Sequence, residues 1–161
     1  MTVEIAARPL TAADFAPFGD VLEDEGPPDR IINQGLCGRY HDRAKLDFGP
    51  AGRAGISLFK AEPRSLPYRL DMVERHPDGS QAFFPLHQKP WLVIVAEPGD
   101  IPGRIHAFLA GTGQAVNFHR GTWHGVLTPL HAPGLFAVVD RIGDTPNLQE
   151  HWLEPPVTIT A

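Results

Sequence analysis

Residues 91–96 read Trp-Leu-Val-Ile-Val-Ala, an unbroken apolar run that is rich in β-branched side chains. The run ends at the turn-forming sequence Glu97-Pro98-Gly99. An apolar segment of this length and composition predicts a strand that is buried on both faces. It is the longest apolar run in the chain, and a helix that crosses a bilayer needs about 20 apolar residues. The sequence therefore predicts no membrane span.

Shorter runs of strand-forming residues surround this segment, and Leu135–Arg141 is the most apolar of them. The chain has 16 Gly and 17 Pro among its 161 residues, a composition that opposes a helical bundle. Turn signals recur about every 8–12 residues, which predicts roughly ten short strands in an all-β sandwich or barrel. We predict one helical turn at Ala12–Phe15 and a single domain over residues 1–161. Further strands are predicted at 30–41, 55–60, 67–73, 81–86, 105–110, 114–118, 123–127 and 157–160.

The charge and cysteine content exclude several functional classes. Nineteen Asp and Glu against 14 Lys and Arg give a net charge of −5, whereas binding to nucleic acid or to an anionic membrane relies on a basic surface. Cys37 is the single cysteine, so no intrachain disulfide can form, and we expect it to be a small buried apolar side chain. Residues 1–10 lack the pattern of a signal peptide. These features predict a cytoplasmic protein.

The first candidate site lies in the sequence Glu74-Arg-His-Pro-Asp-Gly-Ser-Gln81. Residues two apart on a strand point to the same face, so Glu74 and His76 share one. The Pro-Asp-Gly turn then returns the chain and brings Gln81 back beside them. Three such side chains suit a divalent metal or a small polar substrate. The alternative is an exposed polar hairpin.

The second candidate site is the sequence Asn117-Phe-His-Arg-Gly-Thr-Trp-His124. His119 and His124 flank a glycine turn, and Trp123 supplies a bulky apolar side that excludes water. A histidine in such a place can be a general base or a metal ligand. The alternative is a pair of ordinary surface or core histidines.

Arginines supply the third candidate feature. Arg39 and His41 share one face of a predicted strand, and a guanidinium is a good anchor for a small carboxylate. An ordinary surface arginine is the alternative. Asp140 and Arg141 end an apolar strand, where they form either an ion pair or part of the mouth of a barrel.

Four segments, taken in order, resemble the ureidoglycolate lyase family. They are 33–42 (NQGLCGRYHD), 74–83 (ERHPDGSQAF), 116–124 (VNFHRGTWH) and 139–141 (VDR). The resemblance implies a cupin-like β-barrel of the double-stranded β-helix or jelly-roll type, with little helix. It also implies a homodimer that cleaves (S)-ureidoglycolate, an intermediate of allantoin breakdown, to glyoxylate and urea. A divalent metal, often nickel, is associated with the family.

The resemblance also implies roles for individual residues. In the cupin ligand pattern, Glu74 and His76 occupy the first pair, Gln81 takes the place of a glutamate, and His124 closes the set. These four are the predicted metal ligands. His76, His119 and His124 are the predicted catalytic residues. The predicted substrate-binding residues are Arg39, His41, Arg75, Gln81, Asn117 and Arg141.

Two other functions are compatible with the same residues. One is a different cupin-type enzyme that acts on another small carboxylic acid. The other is a non-catalytic module that binds glyoxylate. Paired histidines favour an enzyme, because binding alone needs only donors such as Arg39.

Overall fold

The computed structural model describes residues 2–161, and strands account for nearly all of its regular structure. The single helix in this range is α1, Ala12–Phe15, begun by Thr11, whose side chain accepts a hydrogen bond from the Asp14 N–H at 3.2 Å. The strands are β1 Val3–Ala6, β2 Arg8–Pro9, β3 Gly19–Leu22, β4 Arg30–Ile32, β5 Cys37–Arg39, β6 Arg53–Lys60, β7 Tyr68–Arg75, β8 Gln81–Pro85, β9 Trp91–Ala96, β10 Ile105–Ala110, β11 Ala115–Phe118, β12 Trp123–His124, β13 Thr128–Pro129, β14 Leu135–Ile142 and β15 Gln149–Thr160.

Two sheets carry most of these strands. The larger sheet has the order β1-β15-β7-β12-β9-β10-β2, with β13 also pairing with β9, and the smaller has the order β3-β11-β8-β14-β6. All pairings are antiparallel except those of β1 with β15 and of β2 with β10. The larger sheet forms a nearly closed barrel. The predicted all-β, cupin-like barrel with little helix is confirmed.

Strand β9 lies at the centre of the packing, and all six of its residues are buried. Trp91 and Val93 belong to an apolar core shared by both sheets, together with Phe118. Leu92 and Ile94 point to the opposite face, into a cluster formed by the larger sheet. The prediction of a strand buried on both faces is therefore confirmed.

Strands β1, β2 and β13 were not predicted, and the predicted strand 157–160 is the end of the longer β15. Three further differences concern residues 30–41, residues 123–127 and Cys37. Residues 30–41 form the separate hairpin β4–β5, because 33–35 all adopt positive φ angles and turn the chain. Residues 123–127 divide between β12 and the segment before β13. Cys37 is half-exposed, so its predicted burial is wrong: it lies on this hairpin rather than in a large sheet.

Within residues 2–161, the structure contains no helix with the length and apolar character that crossing a membrane requires.

Candidate functional site

Three of the predicted metal ligands meet at one place. One potential ligand atom from each of Glu74, His76 and His124 lies within 4.8 Å of the other two. His124 is directly opposite Glu74 in the antiparallel pairing of β12 with β7. His76 is two residues after Glu74, immediately beyond the end of β7, and its ring centroid lies 5.2 Å from that of His124. Strand register and the period of two thus bring these side chains together.

Backbone carbonyls fix the orientation of both imidazoles. The Nδ1 atom of His76 lies 2.9 Å from the carbonyl oxygen of Asn147, and that of His124 lies 2.9 Å from the carbonyl oxygen of Gly125. A carbonyl only accepts hydrogen bonds, so each Nδ1 carries a proton, and in the neutral form of either ring the lone pair is on Nε2. Both Nε2 atoms are buried without a hydrogen-bond partner.

Burial also determines the charge of this cluster. His124 is 2% exposed and stacks on the Phe118 ring, with centroids 4.4 Å apart. Burial, helped by the nearby charge of His76, lowers the pKa of His124 to about 3. His124 is therefore neutral at physiological pH. Burial raises the pKa of Glu74, with a smaller contribution from Glu150, while His76 opposes the shift.

Gln81 lies on the smaller sheet, and strand register shows which face its side chain occupies. It is opposite Phe118 on β11 and opposite Asp140 on β14, so these three side chains share the face that carries the core. Its Nε2 donates to Asp140 Oδ2 at 3.1 Å, and its Oε1 is buried without a partner. Because Phe118 stacks on His124, the Gln81 side chain lies on the same side of the sheet as the imidazole cluster.

The donor set fits a divalent metal ion. Two imidazoles with fixed, unpartnered Nε2 atoms lie beside a carboxylate, a set that suits divalent transition metals. The hydrogen bond on each Nδ1 is the supporting contact that metal-binding histidines commonly make.

His119 and Asn117 do not join this cluster. The Nε2 of His119 donates to Asp20 Oδ2 at 3.0 Å, and the Asn117 amide donates to the same oxygen at 3.0 Å. Asn117 alternates with Phe118 along β11, so it points to the opposite face of the smaller sheet. Burial alone would raise the pKa of Asp20, but hydrogen bonds from Asn117, the Lys45 N–H and His119 outweigh it and lower the pKa below its ordinary value.

Two of the predicted arginines are engaged elsewhere. Arg75 alternates with Glu74 along β7 and stacks on the Trp123 ring, 4.2 Å from its centroid. It also donates to the Gln149 side chain and to the Gly99 carbonyl oxygen. Arg141 donates to the Thr145 hydroxyl at 3.0 Å.

Arg39 and His41 lie together at the hairpin. An Arg39 guanidinium nitrogen donates to His41 Nδ1 at 2.8 Å, which confirms that the two side chains share a face. Both residues are exposed, and β4–β5 pairs with neither of the larger sheets.

Sequence reasoning assigned no role to two residues that shape this site. Phe118, within the second motif, supplies the ring on which His124 stacks. The available signal was its place in the same short motif as His124. Asn147 acts through its backbone carbonyl, a contact that no residue type reveals. Asp140 was recognised as a group at a strand end, but its contact with Gln81 was not predicted.

The fold and the geometry of the site thus define the class of protein: a cupin-like β-barrel with one carboxylate and two imidazoles clustered in its interior. The family model described as ureidoglycolate lyase matches residues 2–160. The chain belongs to the ureidoglycolate lyase family.

Individual relatives agree with this assignment over nearly the whole chain. A protein of Rhodobacter capsulatus named ureidoglycolate lyase is 61% identical, covering 94% of this chain and 95% of the relative. Ureidoglycolate lyase 2 of Rhizobium meliloti is 48% identical, covering 98% of each. A ureidoglycolate lyase of Mesorhizobium japonicum is 51% identical, covering 91% of each.

Proposed function

We propose that this enzyme cleaves the C–N bond of (S)-ureidoglycolate and releases glyoxylate and urea, a step of allantoin breakdown. The observation that carries the proposal is the interior cluster of Glu74, His76 and His124 in a chain 61% identical to a protein named ureidoglycolate lyase. The chemistry requires that the substrate hydroxyl loses a proton and that the departing urea nitrogen gains one.

His76 and Glu74 are the residues suited to moving these protons. His124 has a pKa of about 3, which makes it a weak base that holds a lone pair in a fixed direction. His76 presents an unpartnered Nε2 on the same cluster and can accept the hydroxyl proton. Glu74, whose pKa is raised by burial, can return a proton to the urea nitrogen. General acid–base catalysis of this kind contributes about 10²–10⁴-fold.

In an alternative arrangement, the same three residues would hold a divalent metal ion, nickel being the metal that the family resemblance implies. The lone pairs that ligated the ion would then not take part in the proton transfers described above. When bound, such an ion supplies Lewis-acid polarisation of substrate oxygen atoms. His119, whose Nε2 is bound to Asp20, has no part in the proposed proton transfers.

We propose Arg39 as the anchor for the substrate carboxylate. Its guanidinium makes one side-chain hydrogen bond, to His41, among the described residues, whereas Arg75 and Arg141 are bound to other groups. Arg39→Ala should raise KM for ureidoglycolate about tenfold or more, because a bidentate carboxylate contact is lost. An unchanged KM would remove Arg39 from the site.

Urea release from ureidoglycolate by the purified protein tests the proposed reaction directly. His124→Ala should reduce kcat at least 100-fold, and the matched change His131→Ala, in an exposed loop, should leave it unchanged. Elemental analysis of both variants reports whether the metal is lost with His124. Turnover of a different acid, or glyoxylate binding without any product, would overturn the proposal in favour of another cupin-type enzyme or a binding module.

We further propose that the enzyme is a single domain over residues 1–161, acts in the cytoplasm and forms a homodimer. The lone cysteine, Cys37, supports the cytoplasmic assignment. The exposed apolar side chains of the edge strand β6 support the homodimer.

A further inference from the structure

The hydrogen bond between Gln81 and Asp140 links two neighbouring strands of the smaller sheet. The two residues are direct partners across β8 and β14, and Gln81 Nε2 donates to Asp140 Oδ2 at 3.1 Å. A carboxylate only accepts hydrogen bonds. Asp140 therefore selects the NH₂ end of the Gln81 amide and directs Oε1 away from itself.

This arrangement leaves Gln81 Oε1 buried without a donor. Leaving a buried acceptor unpaired is unfavourable, so such groups call for an explanation. Asn117 Oδ1 is the other unpartnered buried side-chain oxygen in residues 2–161. It belongs to the opposite face of the sheet, whereas Gln81 shares the face of Phe118, on which His124 stacks.

The chemistry of the substrate matches this unpaired acceptor. A ureido group carries N–H donors on both nitrogens, and a buried N–H needs an acceptor. Glyoxylate, the other part of the cleaved molecule, carries no N–H. An acceptor with a fixed direction, on the side of the sheet where His124 stacks on Phe118, therefore distinguishes the ureido part of the substrate from the part that becomes glyoxylate.

We infer that Asp140 is a positioning residue for substrate specificity: it holds the Gln81 amide so that Oε1 accepts an N–H of the ureido group. The inference rests on the proposed function and deepens it. Asp140 acts through Gln81, and of these two residues only Gln81 contacts the substrate.

The variant Asp140→Asn tests this role, because an asparagine can donate to Gln81 as well as accept and so permits the amide to reverse. The binding probes are glyoxylate and carbamoylglycine, which keeps the ureido group and the carboxylate but lacks the hydroxyl needed for cleavage. In calorimetry, Asp140→Asn should weaken carbamoylglycine about tenfold, the loss of one buried hydrogen bond. Glyoxylate binding should stay within twofold, and the metal content should not change.

Two further variants separate positioning from a general structural effect. In the double variant Asp140→Asn with Gln81→Glu, the new asparagine donates to one glutamate oxygen and the other oxygen is again a fixed acceptor, so carbamoylglycine binding should recover. The matched control Asp71→Asn alters a carboxylate on β7 that binds Arg69, and both probes should bind to it as they bind to the unaltered protein.

Three results would overturn the inference: equal weakening of both probes, loss of metal in Asp140→Asn, or no change in either affinity. Urea release separates this outcome from failure of the proposed function. If the unaltered protein releases no urea from ureidoglycolate, the proposed function and this inference both fail. If it releases urea and Asp140→Asn binds carbamoylglycine normally, the inference alone fails.

Discussion

At the scale of single residues, Asp20 shows how one carboxylate fastens a loop to the barrel. Its Oδ2 accepts hydrogen bonds from the Lys45 N–H at 2.8 Å, from Asn117 and from His119. Asn117 also donates to the Lys45 carbonyl oxygen, so the segment around Lys45 is held at both its N–H and its carbonyl. His119 thus has a structural partner that explains its position outside the imidazole cluster.

Asp20→Asn should destabilise the protein at pH 7 by about 1–2 kcal/mol, because hydrogen bonds to a charged acceptor become bonds to a neutral one. The folded pKa of Asp20 lies below its reference value of 3.8. Its stabilisation is therefore complete well above pH 3.8 and is lost as the pH falls through the folded value. Urea unfolding should show a difference between the two proteins at pH 7 that shrinks at pH 3.5.

Asp24→Asn is the matched control for this experiment, since Asp24 is exposed in the loop after β3 and should change stability little at either pH. The proposed role of Asp20 is contradicted if its substitution costs nothing at pH 7, or costs the same at both pH values.

At the scale of elements, both faces of β9 contribute buried apolar side chains to the packing. Leu92 is 2% exposed within the cluster of the larger sheet, whereas Leu109, its direct partner on β10, is 39% exposed. The two leucines share a cross-strand pair and differ in burial. Leu92→Ala should therefore cost about 2–5 kcal/mol, the range for a buried leucine, and Leu109→Ala less than about 1 kcal/mol.

Chemical unfolding of the two alanine variants measures this difference directly. If both variants lost a similar free energy of unfolding, the face of β9 that carries Leu92 would contribute no more to stability than an exposed position does. The sharper loss at Leu92 is the outcome expected if both faces of this strand hold the barrel together.

Strands such as β9 were predictable because the information lies in a short run of residues. The hairpin β4–β5 was not predictable, because the turn that separates its two strands depends on positive φ angles at Asn33 and Gln34. Asparagine adopts such angles more readily than most residues, but its presence does not require them. In the candidate site, the shared face of Glu74 and His76 followed from strand period alone. Their meeting with His124 came from the resemblance and from the pairing of β7 with β12.

At the scale of the whole molecule, the least predictable contacts join distant parts of the chain. His76 is oriented by Asn147, Gln81 by Asp140, and His119 by Asp20, with separations of 71, 59 and 99 residues. Periodicity and turn signals act over a few residues and contain no information about such pairs. Only the topology of the two sheets determines which strand ends meet.

The same topology leaves β6 at the edge of the smaller sheet, with Ile56 76% exposed and Leu58 68% exposed. A long apolar edge strand invites pairing with another chain. Antiparallel pairing of β6 with β6 of a second copy has two-fold symmetry and satisfies the free backbone groups of both strands. This edge is therefore where we expect the proposed homodimer to form.

Light scattering should give twice the chain mass of 17.6 kDa for the unaltered protein and the single mass when Ile56 and Leu58 are both changed to Glu. The introduced carboxylates of one copy would lie near those of the other across the paired strands, and like charges opposite each other disfavour association. Ile101→Glu, a matched change at a loop residue that is 67% exposed, should remain dimeric. Circular dichroism of each sample shows whether the variant is folded. A monomeric unaltered protein would refute the homodimer, and a dimeric double variant would refute β6 as its interface.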